Sequence, residues 1–269
     1  MSLEIYQVDA FTSKPFAGNP AAVVPLSRWL PTETMLDIAA ENNLAETAFF
    51  VGKNGEYELR WFTPTVEMDL CGHATLASAH VLFELLGETA DVLKFQTKSG
   101  VLEVEKDAGR LVLDFPSRPA TATEFPDGLI KAIGKEPKEI LKSRDYLMVY
   151  ESDEDIREIE PNFAALLEIP AHAVIVTSKG TDCDFVSRFF APEVGVFEDP
   201  ATGSAHCTLI PYWAEKLGKT ELFARQLSSR GGELFCELRG DRVKIGGSAV
   251  LYLKGEIYVA EQQSDTAAA

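Results

Sequence analysis

The chain contains a second copy of part of itself. Arg60-Trp61-Phe62-Thr63-Pro64-Thr65-Val66 in the first half matches Arg188-Phe189-Phe190-Ala191-Pro192-Glu193-Val194 in the second, at an offset of 128 (188 − 60). A few residues on, Gly72-His73-Ala74-Thr75-Leu76-Ala77-Ser78-Ala79-His80 lies opposite Asp199-Pro200-Ala201-Thr202-Gly203-Ser204-Ala205-His206. The offset there slips to 127 (201 − 74) and then 126 (206 − 80), so each half carries a small indel. Each copy reads as strand, Pro turn, loop and small-residue helix start. A repeat of this length predicts two similar half-domains. If the halves face each other across a pseudo-two-fold axis, two helix N-termini converge on one cleft. A helix N-terminus offers unpaired N–H groups and the positive end of the macrodipole, so that cleft would hold a small anionic substrate.

Within the repeat, His73 to Phe83 and Ala201 to Ala214 carry no charged residue apart from histidine. A helix that is apolar all round belongs inside a fold. The expected class is therefore α+β, with two pseudo-symmetric halves, each a mostly antiparallel sheet wrapped around a central helix. The halves are placed at 1–116 and 117–262, with the last strand crossing back to the first half and 263–269 as a frayed tail. Ser117 to Pro126, polar and proline-containing, reads as the linker.

Strands are expected at Leu3 to Ala10, Ala21 to Leu26, after Glu46, Tyr57 to Thr63, Leu93 to Gln96, Val101 to Glu105 and Arg110 to Phe115. The second half should add Tyr146 to Tyr150, Ala173 to Thr177, Gln226 to Ser229, Glu233 to Leu238, Arg242 to Ile245, Ala249 to Leu253 and Ile257 to Val259. Helices are expected at Pro31 to Asn43, His73 to Leu86, Leu129 to Lys142 in two pieces broken at Pro137, Pro161 to Leu167, and Ala201 to Ala214. Gly87 and Gly218 read as helix C-caps. The acidic run Ser152 to Glu160 reads as a solvated edge, and Arg230-Gly231-Gly232 and Gly246-Gly247-Ser248 as turns.

Net charge is −17 and the pI about 4.7. That argues against nucleic acid or an anionic membrane as partner, since both need a basic face. It leaves room for a small anion, because local N–H donors outweigh a distant negative surface. No apolar run is long enough to span a bilayer. Met1-Ser2-Leu3-Glu4 lacks a basic n-region and an apolar h-region, so no signal peptide is expected. The four cysteines, Cys71, Cys183, Cys207 and Cys236, form no C-x-x-C pair, which favours reduced thiols in a cytoplasm.

Several residues are candidates for chemistry. Glu46 sits where a tight turn enters an apolar strand, beside Leu44, Ala45, Ala48 and Phe49. Partial desolvation there suits proton transfer, although a solvated Glu at a strand start fits the same stretch. At offset 127 it faces Ala173, so only one half carries this carboxylate. His73 opens the first repeat helix and reads as a proton carrier or substrate donor. Asp199 stands just before the second repeat helix, with an N-cap role as the alternative. Cys71 precedes the first helix start, where a thiolate is favoured. His80 and His206 read as buried, hydrogen-bonded helix residues. No metal site is expected: His73 and His80 lie about 10 Å apart along one helix. H-E-x-x-H and G-x-S-x-G are both absent.

Asp9-Ala10-Phe11-Thr12, Phe16-Ala17-Gly18-Asn19-Pro20, Asn43-Leu44-Ala45-Glu46-Thr47, Arg60-Trp61-Phe62-Thr63-Pro64, Cys71-Gly72-His73-Ala74-Thr75 and Asp199-Pro200-Ala201-Thr202-Gly203-Ser204-Ala205 follow one another in order. Together they resemble the signatures of the phenazine-biosynthesis isomerase-like (PhzF-like) family, from about Asp9 to Gly255. The resemblance implies the diaminopimelate-epimerase fold, a homodimer and cofactor-independent proton-shift chemistry. It implies Glu46 as the acid/base residue, with His73 and Asp199 beside it. Asn19, Gly72, His73, Gly203 and Ser204 would bind the substrate, the last four holding its carboxylate. The related epimerases use two opposed cysteines. Here Cys71 resembles the first, but Asp199-Pro200-Ala201-Thr202-Gly203 has no thiol, which argues against a two-thiol racemase. The remaining alternatives are a one-base racemase and a non-catalytic binder of small acids.

Overall fold

A computed structural model describes residues 1–259, so the expected tail, 263–269, lies outside the described residues. The first half runs β1 (Ser2–Ala10), β2 (Asn19–Pro25), α1 (Thr32–Asn42), β3 (Glu46–Lys53), β4 (Glu56–Phe62), β5 (Glu67–Met68), α2 (Gly72–His80), β6 (Val92–Thr97), β7 (Gly100–Asp107) and β8 (Arg110–Pro116). The second runs β9 (Thr121–Ala122), α3 (Leu129–Ile133), β10 (Glu139–Lys142), β11 (Tyr146–Val149), α4 (Asp153–Glu158), α5 (Phe163–Leu167), β12 (Val174–Lys179), β13 (Phe185–Phe190), α6 (Gly203–Leu217), β14 (Glu221–Gln226), β15 (Gly232–Arg239) and β16 (Arg242–Gly247). The last strand is β17 (Ala249–Tyr258).

Backbone pairing makes one path. It runs β17–β1–β2–β3–β4–β6–β7–β8, crosses by β8–β16, and returns through β15, β14, β13, β12, β11 and β10 to β9. The two runs correspond strand for strand. β2–β3 and β4–β6 are parallel, and so are their counterparts β11–β12 and β13–β14; the other pairs along the path are antiparallel. The sequence repeat is thus a repeat of strand topology. β17 belongs beside β1, with Ser2 opposite Tyr258, so the chain's last strand returns to the first half.

α2 and α6 hold the centre. Every α2 residue from Gly72 to Ala79 is buried, as are nine residues of α6. Their apolar surfaces join the inner faces of both strand runs in a single cluster. The outer faces are covered separately. Met35 and Ile38 of α1 pack on Val24, Phe49 and Phe62, and Leu129, Ile156 and Leu166 of α3 to α5 pack on Met148, Val176 and Phe190. Inner strands buried on both faces read as continuous apolar runs rather than alternating ones.

Several local expectations are corrected. Leu129 to Lys142 is helical only to Ile133; Gly134 turns at φ +88°, and Glu139–Lys142 pairs with β11 and β9. Strand pairing outweighs helix propensity there. The polar linker likewise contributes the two-residue β9. The acidic run at 152–160 stays solvated at Glu154, Glu158 and Glu160 and folds into α4. Ser152 and Asp155 make a reciprocal capping box, the acids sit at the positive helix end, and Ile156 is buried. Gly246 and Gly247 lie within β16 rather than a turn; a Cβ on Gly247 would come 2.5 Å from the Phe11 ring. The strand expected from Gln226 to Ser229 ends at Gln226, and 249–258 is a single bulged strand. α2 ends in one π-helical turn, Val81–Leu85, before Gly87 at φ +72°. Gly218 caps α6 in the left-handed conformation, as expected.

Candidate active site

The pseudo-two-fold arrangement brings the starts of α2 and α6 together. A Cβ placed on Gly72 would stand 3.4 Å from Gly203 Cα, and one on Gly203 would stand 3.5 Å from Gly72 Cα. Larger side chains would hold the two helix starts apart. Over this junction lies a cavity of about 80 Å³. Glu46, Cys71, Gly72 and His73 line it from the first half. Asp199, Thr202, Gly203 and Ser204 line it from the second.

Each side chain is placed by an element end. Glu46 opens β3, opposite Ala21 of the parallel strand β2. Asn19 opens β2, directly after Gly18, whose φ of +63° turns the chain. His73 is the second residue of α2. Asp199 does not cap α6; Thr202 occupies the N-cap position and gives its hydroxyl to Asp199 Oδ2. Gln226, at the end of β14, donates to the Asp199 carbonyl at 2.7 Å and to Thr202 Oγ1 at 3.0 Å.

His73 stands at the centre of the group. Its Nε2 is 3.0 Å from Glu46 Oε2, an ion-pair approach that is not aligned as a hydrogen bond. Its Nδ1 lies 3.1 Å from Asn19 Nδ2 and 3.5 Å from Cys71 Sγ. Asn19 Nδ2 also donates to Asp199 Oδ1 at 2.8 Å and to the Ala201 carbonyl at 3.0 Å. Two acceptors therefore fix the amide with its nitrogen toward the ring. Those two acceptors use both amide hydrogens, so the contact with Nδ1 is at most a shared one, beside the Cys71 thiol. Nε2 faces the Glu46 carboxylate, the acceptor for an N–H at that position. Asn19 Oδ1, Glu46 Oε2 and His73 Nε2 are all buried without an aligned hydrogen-bond partner. Buried polar atoms are costly to leave unpaired: Asn19 Oδ1 has no partner, and Glu46 Oε2 and His73 Nε2 have only their unaligned approach to one another.

Electrostatics distinguish the groups. Burial pushes the Asp199 carboxyl up to about 6, with the Glu46 charge adding to it, while His73, Thr202 and Asn19 pull the other way. Burial opposes charge on His73, its neighbours Cys71 and Glu46 favour it, and the net direction is upward. Burial first, and then Glu46, hold the Cys71 thiol above its ordinary value. The thiolate expected from the helix start is thus corrected: desolvation outweighs the macrodipole, and Cys71 stays a thiol. With Cys71 neutral, Glu46 is the partner that acts on His73.

The other histidines differ from the expectation in part. His206 is buried and accepts no charge, its pKa lowered to about 4 by burial, with Nδ1 2.8 Å from the Thr202 carbonyl. His80 is only partly buried and makes no side-chain hydrogen bond among the described residues. Ligand atoms of Glu46, Cys71 and His73 fall within 4.8 Å of one another. His73 turns one ring nitrogen to Glu46 and the other to Cys71, so the trio is laid out along the ring rather than around one point, unlike a metal's coordination shell.

Sequence reasoning missed Thr202, Gln226, Arg144 and His172. Thr202 lies inside the quoted motif but was assigned no part of its own. The others come from distant positions with no motif of their own.

A sequence profile of the phenazine biosynthesis-like proteins (PhzC-PhzF) matches residues 8–255. The chain belongs to this family. It is 52% identical over 259 residues to an uncharacterized isomerase of Pseudomonas aeruginosa, covering 96% of this chain and all of that one. A crystal structure of a PhzF-family phenazine biosynthesis protein from Enterococcus faecalis superposes with a TM-score of 0.93 at 46% identity, over 96% of this chain and all of that one. A predicted epimerase from Pseudomonas aeruginosa, 19% identical with a TM-score of 0.73 over 96% of this chain and all of that one, shares the fold. The PhzF-like family and its diaminopimelate-epimerase-like fold are thus those implied by the sequence motifs. No helix among the described residues is long and apolar enough to cross a membrane.

Proposed function

We propose that this chain is an isomerase that shifts a proton on a small carboxylate-bearing substrate, with Glu46 as the general acid/base. The observation that carries the reading is the Glu46–His73 approach of 3.0 Å at the wall of a cavity between two helix starts. The Pseudomonas relative bears the name of an isomerase, which supports the reaction class.

In this reading the substrate carboxylate meets the backbone N–H groups of Gly72, His73, Gly203 and Ser204. Glu46 takes a proton from the activated carbon and returns it elsewhere on the substrate. His73 Nε2 donates to Glu46 or to the developing anion, and Asp199, near neutrality, sets the charge beside the ring through the Asn19 amide that both contact. The helix N-termini stabilise the negative charge that appears in the transition state. A cysteine-based racemase is disfavoured by the protonated Cys71 and by the absence of a second thiol at 199–203.

The test is deuterium wash-in followed by NMR, with a panel of small cyclic and amino carboxylates that includes a ring-reduced (dihydro) hydroxyanthranilate-type diene. Label incorporated by wild type and not by Glu46→Gln supports the reading. Thermal stabilisation by an acid with no label from either protein would replace it with a non-catalytic acid-binding protein.

A further inference from the structure

The register of the strands fixes which position in the second half corresponds to Glu46. Phe49 pairs with Arg60 across β3–β4, and Val176 pairs with Arg188 across β12–β13. Arg60 and Arg188 are equivalent in the repeat, so Glu46 corresponds to Ala173, just before β12. Its strand neighbours carry polar groups of their own. His172 directly precedes Ala173, and Arg144 and Asp145 lead into β11, the counterpart of β2, which begins at Asn19. The wall opposite Glu46 therefore bears Arg144 and His172, and both line the same cavity as Glu46 and His73.

This cluster is held in place. Asp145 is 3% exposed and ionised: burial works against its charge, but His172 and Arg144 outweigh burial and lower its pKa. Arg144 donates Nε and Nη2 to the two Asp145 oxygens at 3.1 and 3.0 Å, and His172 Nδ1 lies 2.8 Å from Asp145 Oδ1. Nη2 also reaches Ser204 Oγ, at the start of α6, at 3.5 Å. Arg144 Nη1 has no hydrogen-bond partner among the described residues. A guanidinium fixed by a buried carboxylate, with a free N–H edge beside a helix N-terminus, is a carboxylate receptor. Across the cavity stand Glu46 and His73, whose Oε2 and Nε2 meet at 3.0 Å without hydrogen-bond alignment and so can turn to a ligand.

We propose that Arg144, positioned by Asp145, selects the charged carboxylate of the substrate at the α6 end of the cleft. The carboxylate faces the second half and the reacting carbon faces Glu46. The acid recognised is a small monocarboxylate with a free anionic oxygen pair, not its amide or ester. This deepens the proposed function and rests on it, in that the acid bound here is the one Glu46 acts on.

The test compares acid and amide pairs by isothermal titration: 2-aminobenzoate with 2-aminobenzamide, cyclohexa-1,4-diene carboxylate with its carboxamide, and proline with prolinamide. The expected result is at least one acid that wild type binds about tenfold or more tightly than its amide. Arg144→Gln should weaken that acid about tenfold and leave the amide within about twofold. Arg144→Lys, which keeps the charge and loses the fork, should fall between, and it carries the comparison if the glutamine variant unfolds. Acid preference should persist in Glu46→Gln, so a failure of the proton-shift reading would leave this result standing. Wild type that binds no acid better than its amide would overturn the proposal. So would an Arg144→Gln protein that treats acid and amide as wild type does, or that weakens both equally.

Discussion

Asn19 Nδ2 donates to Asp199 Oδ1 at 2.8 Å, joining residues 180 positions apart across the interface of the two halves. The same nitrogen is 3.1 Å from His73 Nδ1. One amide thus ties the protonation of a buried carboxylate to that of a buried ring.

Asp199 should leave a mark on the pH dependence of stability. Its pKa, raised to about 6 by burial, means that the folded state holds this proton more tightly than the unfolded chain, where the ordinary value is 3.8. That contribution to stability is fully present below about pH 4 and is lost as pH rises through about 6. Asp199→Asn does not ionise. It is expected to gain on wild type by about 1–2 kcal/mol between pH 5 and pH 8, read from urea unfolding at each pH. A constant difference across that range would assign the titration to another group.

Glu46→Gln should lose about 10²–10⁴-fold in proton exchange, the usual contribution of a positioned general base. Its side chain is 12% exposed and sits at a strand start, so the thermal transition should stay within a few degrees of wild type. Unfolding of the variant would instead assign Glu46 a structural role.

Cys71→Ala separates thiol chemistry from packing. The thiol is buried and protonated. Removing it should cost about 1 kcal/mol and change exchange by less than about fivefold. A loss above a hundredfold would put Cys71 into the reaction.

Gly18→Ala tests how Asn19 is aimed. Gly18 has φ +63°, and a Cβ there would stand 2.1 Å from the Ala10 carbonyl oxygen. The left-handed conformation alone costs a non-glycine residue about 1–2 kcal/mol, and the contact adds to it. We expect destabilisation of about 3 kcal/mol in chemical denaturation, together with weakened exchange activity as Asn19 moves. Wild-type stability would show that the turn relaxes freely.

Much of the architecture could be read from particular stretches. The repeat around Arg60 and Arg188 determined the two matching strand runs, and the uncharged helices after Gly72 and Ala201 determined which elements lie inside, because an all-apolar helix has nowhere else to go. The same motifs placed Glu46, His73, Asp199 and the two facing glycines. Local patterns failed where a residue's state depends on what it meets in space. Glu139–Lys142 became a strand because β11 offered it partners, and Cys71 stayed protonated because burial outweighed the helix start. Arg144, Asp145 and His172 carry no shared motif and come together only when β11 and β12 pair. Sequence by itself determined the periodicity and the small-residue helix starts, since these are local and repeated. Only the tertiary structure decided which polar groups face one another across the cleft, because hydrogen bonds and desolvation act over a few ångströms of space and not along the chain.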